Sequence, residues 1–82
     1  MKLDKDFLAI VKPAIEDTWN YIGSDAIEFC KSNEDMLEFC IDANRLEFCG
    51  NSKEADKLVH DAVMEHGYNE VLNFLDDNVA LY

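Results

Sequence analysis

Three cysteines, two histidines and a set of stacked carboxylates are the side chains here that could do chemistry. Cys30, Cys40 and Cys49 with His60 and His66 have the right donor types for zinc. Structural zinc sites, however, draw on ligands two to four residues apart, as in Cys-x2-Cys, and no such pair occurs. The two histidines are spaced so that a helix turns them to different faces. His66, beside Gly67, suits a cation at a helix C-terminus instead. Calcium fares no better, because no acidic cluster has the oxygen spacing and central glycine of an EF-hand loop. No metal or other cofactor is expected.

Nucleophilic catalysis meets similar objections. Each cysteine directly follows a phenylalanine, an apolar setting that raises a thiol's pKa and makes it inert. Gly23, Gly50 and Gly67 occur singly, so no glycine-rich turn offers an oxyanion site. No catalytic residue is assigned, and an enzyme is not expected.

The acids remain. Glu34, Glu38 and Asp42 follow i, i+4, i+8, which on a helix places them in one column. Like charges at that spacing repel by a few tenths of a kcal/mol per pair, and only Lys31 and Arg45 relieve the two ends. Asp61 and Glu65 form a second pair, which Glu54 can extend, and Asp4/Asp6, Glu16/Asp17 and Asp76/Asp77 add clusters. In total 18 acidic side chains face 7 basic ones, for a net charge of −11 on 82 residues. That charge disfavours nucleic acid and anionic membranes as direct partners and favours a basic protein surface. A solvated face is the competing explanation. Solubility, however, requires net charge rather than acids stacked on one helix. Carboxylates four residues apart rise about 6 Å, comparable to the path between successive phosphates of a strand. Such a face can imitate a nucleic-acid backbone to a basic groove.

The elements that must hold these residues are helical. Leu3, Phe7, Ile10/Val11, Ala14, Thr18 and Ile22 recur every three to four residues. Pro13 falls inside that stripe and is expected to kink the helix, since the apolar phase continues across it. Gly23 ends it. A short helix is expected over about Asp25 to Lys31, and a longer one over about Asn33 to Phe48. The longer one carries apolar residues around more than half its circumference, which marks it as central. Asn51 with Glu54 resembles a capping box opening a third major helix, with Gly67 as its C-cap. Tyr68, Val71, Leu72, Leu75 and Val79 form a last one. The expected fold is a single all-α domain over residues 1–82, a compact bundle of four to five short helices.

One tetrapeptide pattern recurs: Ile27-Glu28-Phe29-Cys30, Leu37-Glu38-Phe39-Cys40 and Leu46-Glu47-Phe48-Cys49. The steps between copies rotate them to different faces of a continuous helix, and the period is too short for a solenoid. The pattern reads as a buried helical unit used repeatedly.

A domain this small hides only about 60–65 % of its unfolded surface, and a homodimer interface would be one remedy for its thin margin. The odd cysteine count, the acidic first residues and the lack of a long apolar run point to a reducing cytoplasm. Together these features lead to a small acidic, non-enzymatic inhibitor that binds a nucleic-acid-binding surface through Glu34, Glu38, Asp42, Asp61 and Glu65. In size and composition it resembles the phage-encoded proteins that disarm host nucleases, restriction systems or CRISPR complexes; no residue motif carries that likeness. The alternative is a helical adaptor or dimerisation module that associates through an apolar patch at Val79, Leu81 and Tyr82.

Overall fold

The computed structural model describes residues 2–44 and 52–79. In order they form α1 (Lys5–Ile22), a 3-10 turn (Gly23–Asp25), α2 (Ala26–Lys31), α3 (Met36–Ala43), α4 (Ser52–His66) and α5 (Tyr68–Asn78). There is no strand among the described residues. The expected all-α bundle is what forms, within 28 × 27 × 20 Å. No helix among these residues is long and apolar enough to cross a membrane.

α1 starts at a side-chain cap. The Asp4 carboxylate accepts from the backbone N–H groups of Asp6 (3.0 Å) and Phe7 (3.2 Å), satisfying two donors that a helix start leaves open. Pro13 lies inside the helix, which runs unbroken from Lys5 to Ile22. The carbonyl that Pro13 cannot serve belongs to Ala9, and both residues are exposed, so water can take the place of the lost donor. Gly23 ends the helix at φ 83°, a conformation that side chains bearing a Cβ rarely adopt.

α3 departs from expectation at its start. Instead of entering the helix at Asn33, the chain makes a turn there. The Asn33 side-chain oxygen accepts from Asp35 N at 2.8 Å, and Met36 N bonds to Asn33 O at 3.1 Å. A short polar side chain that bonds its own backbone competes with helix formation, so the first helical residue is Met36. At the other end α3 stops at Ala43. Asn44 is a turn residue, buried, and its Nδ2 donates to Ala14 O on α1 at 3.3 Å. Of the expected extension, residues 45–48 lie outside the described residues, as does Asn51 with its capping box and the third repeat at Cys49. The α4–α5 junction matches expectation. His66 is the last residue of α4, and Gly67 follows at φ 92° with its N–H on Val63 O at 2.9 Å.

α1 rather than α3 is the hub of the bundle. Eighteen residues give α1 a length of about 27 Å, enough to run the length of the molecule and touch all four other helices. α3, with 8 residues, packs mainly on α1, α2 and α4. Val11, Ile15 and Trp19 of α1, Leu37 and Ile41 of α3, Val59 of α4 and Leu72 and Leu75 of α5 fill the core. Val79 belongs there too, at 4 % exposure. It packs on the fold rather than opening an association patch, because its side chain continues the α5 stripe of Val71, Leu72 and Leu75 inward. Leu81 and Tyr82 lie outside the described residues.

Candidate partner-binding groove between α3 and α4

The two described repeats meet face to face across α2 and α3. The Phe29 and Phe39 rings are tilted against each other with centroids 6.1 Å apart. One residue further on, Cys30 and Cys40 are both fully buried, free thiols. The interaction with the Cys30 thiol, reinforced by burial, pushes Cys40 far above the ordinary thiol range. The same interaction lowers Cys30, against the opposing effect of burial. The buried Trp19 indole N–H makes no hydrogen bond of good geometry, yet it lies close enough to favour both thiolate forms.

Around this pair the backbone is pinned from three sides. Thr18 Oγ1 donates to Cys40 O at 3.0 Å, tying α1 to α3. Tyr68 Oη donates to Cys30 O at 2.5 Å, tying the start of α5 to α2. Asn33 O, at 3.3 Å, is a second and longer acceptor for the same phenol proton. Burial pushes the Tyr68 phenol well above its ordinary value, and neighbouring acidic groups add to the effect. The repeats therefore build a packing joint. No histidine enters it: His60 bonds to Glu38, and His66 lies at the far end of α4 beside Glu70. Among the described residues no three His, Cys, Asp or Glu side chains are disposed to hold a metal ion.

The opposite flank of α3 is open. Between it and α4 runs a groove of about 240 Å³, lined by Glu34, Asp35, Glu38, Val59, His60, Val63 and Met64. Glu38 Oε1 lies 3.3 Å from His60 Nδ1, an interhelical pair with both side chains substantially exposed. Among the described residues neither Glu34 nor Asp35 has a Lys or Arg partner; Lys12 pairs with Glu16 (3.8 Å) and Lys31 with Glu28 (3.5 Å). Met64 is 76 % exposed at the groove's edge.

The five expected binding residues do not form one surface. Glu34 sits in the turn before α3, so the i, i+4, i+8 column is broken at its first member. Glu38 leans to the α4 side instead of pointing straight out, and Asp42, exposed one turn further along α3, lies beyond the groove lining. On α4, Asp61 and Glu65 each follow a groove residue and are exposed. They project about 100° further round the helix and face away from the groove. Two smaller acidic surfaces result: Glu34, Asp35 and Glu38 in the groove, and Asp61 with Glu65 outside it.

Sequence reasoning missed Asp35, Val63 and Met64 as site residues and gave His60 no role with Glu38. Asp35 adjoins Glu34 in the chain and could have been included on that ground. The contributions of Val63, Met64 and His60 follow from the α3–α4 packing, for which no local signal exists. No protein-family model, curated protein or solved structure matches this chain.

Proposed function

We infer that this protein is a small acidic, non-enzymatic inhibitor that occupies a basic, nucleic-acid-binding surface of another protein. The observation that carries the reading is the α3–α4 groove, where Glu34 and Asp35 lack a cationic partner among the described residues and only His60 faces Glu38. Stability alone gives no reason to gather carboxylates there, since their mutual repulsion is a cost and surface ion pairs elsewhere return little. A basic partner would relieve it. With a net charge of −11, association would be steered electrostatically and weaken steeply with salt. Host nucleases, restriction systems and CRISPR complexes are the class of target that fits, with the cytoplasm as the compartment.

The test is competition. A labelled oligonucleotide bound to a panel of such nucleic-acid-binding proteins is challenged with this protein at low and high salt. Displacement at low salt that is lost in Glu34→Lys/Glu38→Lys, with helical circular dichroism retained, is the expected result. Displacement that survives the charge reversal would overturn the assignment of the groove. The apolar-patch alternative loses one of its three residues to the core, since Val79 is buried.

A further inference from the structure

We propose that the α3–α4 groove is a socket for one arginine side chain presented by the partner. The methylenes would lie on Val59, Val63 and Met64 and the guanidinium among Glu34, Asp35 and Glu38. This rests on the charge-mimic reading but narrows it from a diffuse acidic surface to a single docking point. The argument comes from the groove's mixed lining, its size and its charge. Val59 and Val63 give it an apolar floor, edged by Met64, a large side chain left 76 % exposed beside three carboxylates. A flexible, polarizable thioether suits a surface that must adapt to an incoming chain. A metal ion or a phosphate-like spacing of charges would make no use of such a floor.

An arginine uses both parts. Its stem covers apolar surface while its head stays polar. The volume, about 240 Å³, is below the several hundred of an ordinary small-molecule pocket, which fits a side chain better than a helix. Arginine is favoured over lysine because its planar fork can bond two carboxylates at once and sheds water more readily. The groove already shows the geometry from within: the Glu38 carboxylate reaches a nitrogen, His60 Nδ1, at 3.3 Å on the α4 wall.

The experiment titrates the protein with acetyl-Gly-Arg-Gly-amide, its lysine analogue and its neutral citrulline analogue, following the Val59, Val63 and Met64 methyl signals by NMR. The arginine peptide should shift these signals saturably, lysine about tenfold more weakly and citrulline not at all, a tenfold step being ~1.4 kcal/mol. Met64→Ser should weaken arginine binding several-fold, and Glu34→Gln/Glu38→Gln should remove it, both with helical circular dichroism unchanged. Deca-arginine is run in parallel. If it binds while the single-arginine peptide leaves the groove methyls unmoved, or if arginine and lysine shift them equally, the socket is overturned and the charge-mimic reading stands. If deca-arginine fails as well, both fall.

Discussion

The two flanks of α3 are built on opposite rules. On the flank toward α1 and α2, Leu37, Cys40 and Ile41 are fully buried, and the backbone of the α2–α3 pair takes side-chain hydrogen bonds from Thr18 and Tyr68. On the flank toward α4, Glu38 meets His60 across an open groove, and Glu34 and Asp35 face solvent. One flank is closely packed, with its backbone pinned by side-chain hydrogen bonds. The other, among the described residues, leaves Glu34 and Asp35 without a lysine or arginine partner beside a partly apolar floor. One short helix thus carries a close-packed face and an open, charged face. A close-packed interior is sensitive to single atoms, whereas exposed side chains are energetically near-neutral until a partner arrives.

The sharpest way to break this contrast is at Trp19. Trp19→Ala deletes a fully buried indole and should cost about 3–5 kcal/mol. That is comparable to the whole stability of a domain this size, at roughly 0.05–0.15 kcal/mol per residue. Urea unfolding followed by circular dichroism should show a lost or severely weakened transition. A midpoint close to that of the unmodified protein would mean that the joint is not where the stability lies.

Tyr68 comes next. Tyr68→Phe removes the donor to Cys30 O and should cost about 1–2 kcal/mol. It should also change the alkaline response. The folded protein holds the phenol proton more tightly than the unfolded chain does. This stabilisation is therefore complete below the ordinary phenol pKa of about 10 and is lost as pH rises beyond it. The difference in urea midpoint between the two proteins should shrink above that pH; a constant difference would contradict burial as the cause.

A kinetic prediction follows for the thiols. Cys30 and Cys40 are fully buried, so an aromatic disulfide reagent should reach them only as fast as the protein opens. Mass mapping at those two positions checks this, and rapid labelling of native protein would place them nearer the surface. Smallest of all are the groove carboxylates. Glu34→Gln and Glu38→Gln should each move stability by no more than ~0.5 kcal/mol, in the stabilising direction wherever carboxylate repulsion dominates. A loss of several kcal/mol would show that the groove is structural and remove the contrast between the flanks.

Much of the fold was legible from local pattern. The α1 stripe, its Gly23 stop, the α4 and α5 stripes and the Gly67 junction all follow from helical period and turn chemistry. The start of α3 was misjudged. Asn33 can cap a helix or close a turn with the same side-chain oxygen, and the bond to Asp35 N selects the turn. That one bond takes Glu34 off the helix. The site was less legible still. Glu34 and Glu38 were found from charge spacing, yet Asp42, Asp61 and Glu65 lie on other surfaces. The phenylalanine–cysteine repeats read as buried units, and their cysteines are buried, but Phe39 is 55 % exposed, and nothing local indicates that two of them meet across a helix pair.

By itself the sequence determined that this chain is helical, where α1 and α4 end, which stripes turn inward and that the surface is strongly acidic. Each is a matter of near neighbours: backbone bonds reach four residues, side-chain faces repeat every 3.6 residues, and charge is additive. Only the tertiary structure decided which faces meet. It made α1 the hub through its length, set Cys30 against Cys40, and brought His60, Val63 and Met64 of α4 opposite Glu38 of α3. Those contacts join residues ten or more positions apart, and the shapes of the intervening turns and the competition for the core select them.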